Sequence, residues 1–294
     1  MFMLDIDKSI EDYSERISKA LIEHLPVAND GQKSVVKAMK YSLTNGGKRL
    51  RPILVLEFCK MCGGDTEKAM AYACAVEYVH TYSLIHDDLP CMDDDDLRRG
   101  KPSCHKMYGE ATALLAGDAL LTHAFEIAST ADFDGAKNAD AVSLLAQNSG
   151  VCGMIGGQVL DLKYEAASPS MSQLLTVHKL KTGAMISAAC LLGCIAGDAT
   201  EAQILAASKF AYYLGIAFQI KDDILDVTGD EEKLGKPVGS DKDNEKTTYV
   251  DIVGLNKAQE DVEKLTQAAI ESLSAFENNE FVSSLAEYLT RREK

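Results

Sequence analysis

The chain has 294 residues, of which 46% are hydrophobic, and its formal net charge is −15. That length suits one large domain or two small ones, and the hydrophobic fraction is enough for a substantial buried core. A surface this acidic repels nucleic-acid backbones, so we expect no DNA or RNA partner. Any anionic ligand must therefore be held by local cations or by metal ions.

Cysteine usage and apolar runs bear on where the protein works. Eight cysteines are scattered through apolar stretches, without the dense spacing of a small disulfide scaffold. Residues 1–16 lack the basic and apolar regions of a secretory signal. The longest nearly uncharged apolar run, 184–197, falls short of the ~20 residues that a membrane span needs. These features predict a cytoplasmic protein with no membrane span.

Proline spacing indicates the secondary structure. The intervals 103–168, 170–236 and 238–294 contain no proline and are rich in strong helix formers. Apolar residues recur every three or four positions and do not alternate as in strands. The sequence therefore predicts an all-α protein with a single domain over 1–294. The charged, glycine-rich stretch 229–245 predicts a loop, either a mobile active-site loop or a solvated connector.

The first basic segment along the chain is residues 45–52, which read NGGKRLRP. It joins a glycine turn to three cations and to a proline suited to the start of a helix. It is not a phosphate-binding Walker A loop, because Ser42 stands where glycine is required and Arg49 follows the lysine. Basic surface turns are common, but beside carboxylate clusters this one offers an anion site without a metal.

The first acidic cluster is the segment 86–99, HDDLPCMDDDDLRR. Six aspartates fall between Asp87 and Asp96 with no basic residue among them, so each disfavours ionisation of the next. The cluster follows an apolar helical stretch over 71–86, which argues against a simple solvated charge run. The first two aspartates also lie at the negative end of that helix. A bound divalent cation relieves both problems.

The spacing within this cluster indicates which cation it suits. An EF-hand is excluded, because the sixth position from Asp93 is Arg98 and the twelfth is Cys104, where glycine and glutamate are required. Irregular carboxylates that leave coordination positions for phosphate and water suit Mg²⁺. Arg99 and Lys101 follow at once. The arrangement predicts phosphate held between metal and guanidinium groups.

The second acidic cluster is a DDxxD sequence at 222–226 within a predicted helix. Asp222 and Asp226 are four residues apart and share a face, with Gln219 and Gly215 on the turns before them. A stripe that faces solvent is the alternative interpretation, and DDxxD sequences also occur by chance. Two aspartate clusters at the ends of apolar helical stretches are a much stronger signal together.

These segments together resemble the trans-isoprenyl diphosphate synthase family. The resemblance is carried by GGKRLRP, SLIHDDLPCMDDDDLRRG, GGQVLDL, HKLKTGA, FQIKDDILD and LGK, which occur in the family's order from about residue 35 to the C-terminus. Within the family the chain is similar to bacterial-type farnesyl diphosphate synthases. The resemblance implies an isoprenoid synthase fold of mostly antiparallel helices around a deep central cavity, and a homodimer.

The resemblance also implies roles for residues that match the family's motifs. The two aspartate-rich motifs face each other and bind Mg²⁺ ions that bridge an allylic diphosphate, through Asp87, Asp88, Asp93, Asp222, Asp223 and Asp226. The same diphosphate contacts the basic residues Arg98, Lys181 and Lys236. The pocket for isopentenyl diphosphate is formed by Lys48, Arg51, His80 and Arg99.

The implied reaction joins isopentenyl diphosphate head to tail with dimethylallyl or geranyl diphosphate. Mg²⁺, lysine and arginine stabilise charge on the departing diphosphate. The Lys181 carbonyl and the Thr182 and Gln219 side chains offer oxygen dipoles to the allylic carbocation. The cavity must be dry, because water would quench the cation. Closure of 229–245 with Lys236 is the expected way to exclude water.

Product length is expected to depend on Tyr82, which lies five residues before Asp87, roughly 7.5 Å along the helix axis. The resemblance makes this position the floor of the pocket, and a tyrosine beside the small Ser83 predicts (2E,6E)-farnesyl diphosphate. A geranylgeranyl or longer-chain synthase shares every motif and remains open. A class I terpene cyclase needs no second diphosphate site. A non-catalytic synthase subunit would be expected to have lost one aspartate motif.

Overall fold

The computed structural model of the chain describes residues 5–165, 168–228 and 247–292. The predicted loop over 229–245, with Lys236, lies outside the described residues. The bounds of the helices are α1 Ile6–Glu23, α2 Lys33–Thr44, α3 Leu50–Met61, α4 Thr66–Asp87, α5 Cys104–Tyr108, α6 Glu110–Ser129, α7 Gly135–Ser149, α8 Met154–Glu165, α9 Met171–His178, α10 Ala184–Ala196, α11 Glu201–Thr228, α12 Tyr249–Val253, α13 Leu255–Ser272 and α14 Glu280–Arg291. Short 3-10 turns lie at Asp30–Gln32 and Leu273–Ala275, and a π-helical turn lies at Lys179–Gly183.

Helix α4 lies at the centre of the fold and carries the first aspartates at its end. Thirteen of its 22 residues are buried, and it packs against α3, α6 and α10. A helix that is apolar on every side belongs to the core. Asp65 caps its N-terminus by accepting a hydrogen bond from the backbone N–H of Glu67 at 2.8 Å. Asp87 is the last helical residue, so its backbone is held by a buried, well-packed rod.

Helix α10 is the second core helix, and it packs between α3, α7 and α11. With α9 and the π turn it forms one helical stretch, Met171–Ala196, that is long and apolar enough to cross a membrane. The 184–197 run alone suggested too short a segment, because the sequence did not show that the helix continues back to Met171. Of its most apolar window, 61% is buried inside the protein, as in a core helix.

Helix α11 carries the second aspartate cluster and packs against α10 and α13. Ile216, Ile220 and Ile224 are buried in an apolar cluster shared with residues of α9, α12 and α13. Asp223 and Asp226 are buried on the same helix. The Asp226 end of the predicted stripe is therefore buried, whereas the Asp222 side chain is 42% exposed.

One small hairpin follows the first aspartate cluster. Strand β1, Leu97–Arg98, pairs antiparallel with β2, Lys101–Pro102. The two residues between them, Arg99 and Gly100, have φ of 54° and 74°, as a tight type I′ hairpin turn requires. Strands of two residues are too short to give a periodic signal, so the sequence did not predict the hairpin.

Candidate active site

The first aspartate cluster folds back on the end of α4. The Asp93 backbone N–H donates to the Asp87 carbonyl at 2.9 Å, which brings Asp93 back to the end of the helix. Burial raises the pKa of Asp87 to about 6; Asp93 also raises it, whereas Lys181 and Arg98 lower it. A carboxylate that is costly to ionise among other carboxylates fits a hard divalent cation with oxygen ligands, as Mg²⁺ is.

This raised pKa predicts a stability effect in metal-free protein. The folded pKa of about 6 lies above the reference value of 3.8. The contribution of protonated Asp87 to folding stability is therefore fully present below about pH 3.8 and is lost as the pH rises through 6. Asp87→Asn removes a cost of up to about 3 kcal/mol at neutral pH. We expect its Tm in EDTA to exceed wild type by a few degrees, about 2 °C per kcal/mol.

The matched control for this measurement is Asp132→Asn, which removes the same charge from an exposed carboxylate paired with Lys68. It should not raise the Tm, because an exposed pair contributes little. Equal Tm values for wild type and Asp87→Asn in EDTA would contradict the account of Asp87.

Asp88 lies in a different environment from Asp87. It is 2% exposed, and Arg98 donates to its Oδ1 through Nε at 2.8 Å and also through Nη2. Burial raises the pKa of Asp88, and the Arg98 guanidinium opposes that rise. Arg98 also reaches Asp95 at 3.3 Å. The guanidinium predicted to hold diphosphate thus lies directly against the carboxylate predicted to hold metal.

Helix α8 brings two polar residues to this site that the sequence had not singled out. Gln158 donates through Nε2 to Asp87 Oδ1, and Asp161 accepts from Lys181 Nζ at 2.6 Å. The two are three residues apart and so share a helix face. Their spacing within GGQVLDL is the signal that would have found them.

The π turn over Lys179–Gly183 positions Lys181 and Thr182. A Cβ on Gly157 would lie 2.2 Å from the Lys181 backbone nitrogen, and one on Gly215 would lie 2.8 Å from the Gly183 Cα. These close approaches, from α8 and α11, require glycine on both sides of the turn. Single π turns inside helices occur frequently at functional sites.

Thr182 and Gln219 are brought together by this turn. The Thr182 hydroxyl donates to Gln219 Oε1 at 2.6 Å. Gln219 lines a cavity of about 120 Å³ formed by α8, α9, the π turn, α11 and the segment before α12, whose polar lining also includes Asp161, His178, Lys181, Asp223 and Thr248. Three residues predicted from two separate motifs, Lys181 from HKLKTGA and Gln219 and Asp223 from FQIKDDILD, therefore share one cavity.

The second aspartate cluster is held by groups distant in sequence. Asp223 Oδ2 accepts from the Tyr249 backbone N–H at 2.7 Å. Asp222 accepts from Arg292, whose guanidinium lies 4.1 Å from the centre of the Phe218 ring. Asp226 is 3% exposed. Arg292 was not predicted, because nothing in its local sequence distinguishes it from other C-terminal cations.

The predicted cation site for isopentenyl diphosphate lies near both clusters. Burial lowers the pKa of Arg51. Glu77 and Asp222 oppose this shift, whereas Arg99 adds to it. A Cβ on Gly47 would lie 2.5 Å from Arg99 Nη1, and this nitrogen donates to the Gly46 carbonyl. The glycine turn thus provides room for a guanidinium.

Three other side chains of this basic region are His80, Lys48 and Arg49. Burial and several surrounding arginines lower the pKa of His80 well below its usual value, so the ring is neutral near pH 7. Lys48 Nζ lies 4.8 Å from the centre of the Tyr288 ring. Arg49 is buried in a 2.8 Å ion pair with Glu77, which makes it a structural cation, unlike its neighbours.

The predicted pocket floor, Tyr82, is a buried residue of α4. Tyr82 is 5% exposed, and its ring meets that of His86 edge to face, with 5.6 Å between centroids. Its hydroxyl is buried without a hydrogen-bond partner. A Cβ on Gly117 would lie 2.1 Å from His86 Nε2, so the His86 ring fits against α6 because residue 117 has no side chain. Ser83 donates to the His80 carbonyl at 2.9 Å.

Comparison with known proteins identifies the relatives of this chain. The polyprenyl synthetase family model matches residues 32–289. A chloroplastic geranylgeranyl pyrophosphate synthase of Capsicum annuum is 45% identical over 282 residues, which are 94% of this chain and 76% of the relative. The farnesyl diphosphate synthase of Geobacillus stearothermophilus is 43% identical over 263 residues, 88% of each chain.

Solved structures agree with the fold. An FPP/GFPP synthase from Zymomonas mobilis superposes with a TM-score of 0.86 at 36% identity, over 97% of this chain and 99% of that one. A geranyltransferase from Helicobacter pylori, complexed with magnesium and isoprenyl diphosphate, superposes with a TM-score of 0.87 at 32% identity. The match covers 99% of this chain and 100% of that one. The predicted all-α isoprenoid synthase fold and the family resemblance are both confirmed.

Proposed function

Because the chain belongs to the polyprenyl synthetase family and is a trans-prenyltransferase, we propose that it makes (2E,6E)-farnesyl diphosphate from isopentenyl diphosphate and dimethylallyl or geranyl diphosphate, with Mg²⁺. The observation that carries the product assignment is the buried Tyr82 ring against His86, 5.6 Å away. The relatives of this chain include both farnesyl and geranylgeranyl diphosphate synthases. A geranylgeranyl product is therefore the second candidate.

The metal site is proposed from carboxylates of both clusters. Asp87, Asp88, Asp93, Asp222, Asp223 and Asp226 are the oxygen ligands that would hold Mg²⁺. When bound, the ions supply Lewis-acid stabilisation of charge on the diphosphate oxygens. Arg98 and Lys181 present fixed cations to the same group. Their ion pairs with Asp88 and Asp161 hold them in place, so little reorganisation is needed as negative charge develops.

The allylic cation is proposed to form beside the π turn. The Lys181 carbonyl, the Thr182 hydroxyl and Gln219 Oε1 offer oxygen dipoles there, and the 2.6 Å hydrogen bond between the two side chains fixes both. Isopentenyl diphosphate is held by the Lys48, Arg51, His80 and Arg99 group. A neutral His80 binds by hydrogen bonding and leaves the charge to the arginines.

Replacing Thr182 tests the role of this turn. Thr182→Val keeps the shape but removes the hydroxyl, so the allylic cation loses one oxygen dipole and Gln219 loses its donor. We expect kcat to fall about tenfold, a loss of about 1.4 kcal/mol, with little change in KM. Steady-state kinetics with labelled isopentenyl diphosphate measures both. Thr182→Ser is the matched control and should retain most activity; equal kcat values for Val and wild type would contradict the role.

The homodimer is proposed on exposed apolar residues of two helices that flank the end of α4. Leu114 and Leu115 on α6 are 46% and 53% exposed, and Ile155, Val159 and Leu162 on α8 are 41%, 57% and 42% exposed. Large apolar groups at this density indicate an interface. Sedimentation equilibrium should give a dimer for wild type and a monomer for Leu115→Glu; a wild-type monomer would overturn this proposal.

The enzymatic assignment is tested by supplying labelled isopentenyl diphosphate with dimethylallyl diphosphate and Mg²⁺. Consumption of the label requires both substrate sites. No consumption by folded protein would favour a non-catalytic subunit. A cyclised product from geranyl or farnesyl diphosphate alone would favour a terpene cyclase.

A further inference from the structure

A second group of metal-ligating side chains lies outside the proposed Mg²⁺ site. It consists of Asp94, Asp96 and His105, each of which offers one ligand atom within 4.8 Å of the other two. Within residues 5–165, 168–228 and 247–292, it is the one such group of three or more histidine, cysteine or acidic residues. None of the aspartates assigned above to Mg²⁺ belongs to it.

His105 gives the evidence that this group is more than a set of surface acids. Its side chain is 3% exposed, and its Nε2 lies 3.9 Å from Asp94 Oδ1. This Nε2 is buried without a hydrogen-bond partner. A buried, unsatisfied ring nitrogen is costly. A cation between Asp94 and His105 would satisfy it.

The other ring nitrogen of His105 has the environment of a metal ligand. Nδ1 lies 3.0 Å from the Ser103 hydroxyl, and Ser103 is fully buried. When Nδ1 carries the ring proton, it donates to Ser103 and leaves a lone pair on Nε2 that faces Asp94. Metal-binding histidines characteristically hold their second ring N–H in such a bond, which fixes tautomer and orientation.

The backbone holds the three ligands near one another in advance. Asp94 has a φ of 50°, and its N–H donates to the Leu89 carbonyl at 3.2 Å. The Ser103 N–H donates to the Asp96 carbonyl at 2.9 Å, which ties the start of α5 to the segment before β1. Lys106 pairs with Asp96 at 2.6 Å. That pair is exposed, so it contributes little and is readily displaced.

We propose that Asp94, Asp96 and His105 bind a divalent transition ion of the Zn²⁺ class, at a site separate from the Mg²⁺ site. An imidazole ligand favours Zn²⁺ over Mg²⁺, which prefers oxygen alone. Three protein ligands leave a fourth tetrahedral position for water. The ion ties residues before hairpin β1–β2 to His105 after it, and so fixes the segment that carries Arg98 and Arg99.

The test is Zn²⁺ binding to metal-stripped full-length protein in excess Mg²⁺, which occupies the oxygen-only sites. Equilibrium dialysis with elemental analysis should show one more bound Zn²⁺ per chain in wild type than in Asp94→Asn or His105→Gln. Ser103→Ala should weaken binding about tenfold. Long-range ¹H–¹⁵N NMR of the histidines should show a Zn²⁺-dependent shift of the His105 Nε2 resonance.

Controls separate this site from cysteines and from misfolding. Asp95→Asn removes a neighbouring exposed carboxylate outside the group and should bind as wild type does. Asp94 is exposed, and asparagine tolerates its positive φ, so Asp94→Asn should fold. If His105→Gln does not fold, the Asp94→Asn result alone tests the proposal. Zn²⁺ stoichiometry and affinity unchanged in Asp94→Asn, with no His105 shift in wild type, would overturn the proposal. Binding is measured without substrate, so the result does not depend on the enzymatic assignment.

Discussion

Asp87→Asn is expected to lower kcat by about a thousandfold, which corresponds to about 4 kcal/mol of lost transition-state stabilisation. The substitution keeps the size of the side chain and its contact with Gln158, but it removes an anionic oxygen at the end of α4. Charge on the departing diphosphate is then stabilised less. Single-turnover kinetics with geranyl diphosphate would measure the chemical step directly.

Two comparisons make this result specific. Asp132→Asn removes one negative charge from an exposed ion pair with Lys68, and its kcat should equal that of wild type. The EDTA unfolding experiment on the same Asp87→Asn protein should show a raised Tm, which would exclude misfolding as the cause of lost activity. An Asp87→Asn enzyme within tenfold of wild type at saturating Mg²⁺ would remove this carboxylate from the mechanism.

Tyr82→Ala is expected to change the main product from farnesyl diphosphate to geranylgeranyl or longer diphosphates. The 5% exposed ring packs against His86 on the same helix, and we expect its truncation to open space along α4 on the side away from Asp87. Removing a buried aromatic ring costs about 3–5 kcal/mol of stability, so products should be compared at a temperature where both proteins remain folded.

Tyr82→Phe is the matched control for this change. It keeps the ring and removes only a hydroxyl that has no hydrogen-bond partner, so it should keep the farnesyl product and cost no stability. Product alcohols sized by chromatography after dephosphorylation give the answer. A farnesyl product from Tyr82→Ala would show that another residue sets the chain length.

The parts of this fold that depend on local pattern could be predicted from the sequence. Apolar periodicity and the absence of proline indicated helices, and the position of aspartates after the apolar stretch 71–86 placed them at the end of what is now α4. Pro90 disfavours helical backbone at Leu89, which limits how far that helix can extend. These signals are local, so no tertiary information was needed.

Long-range contacts could not be predicted in this way. Asp222 pairs with Arg292, 70 residues away, and Gln158 reaches Asp87 across 71 residues. Such pairs depend on how helices pack, which periodicity does not specify. The π turn at Lys179–Gly183 was also missed, because the close approaches of Gly157 and Gly215 to it come from other helices.

We propose that this enzyme joins isopentenyl diphosphate to an allylic diphosphate and stops at farnesyl diphosphate. The most direct measurement supplies purified protein with Mg²⁺, labelled isopentenyl diphosphate and dimethylallyl diphosphate, then sizes the dephosphorylated products. We predict farnesol as the main alcohol. Geranylgeraniol or longer alcohols would contradict Tyr82 as the floor of the pocket, and no consumption of isopentenyl diphosphate would contradict the proposed reaction itself.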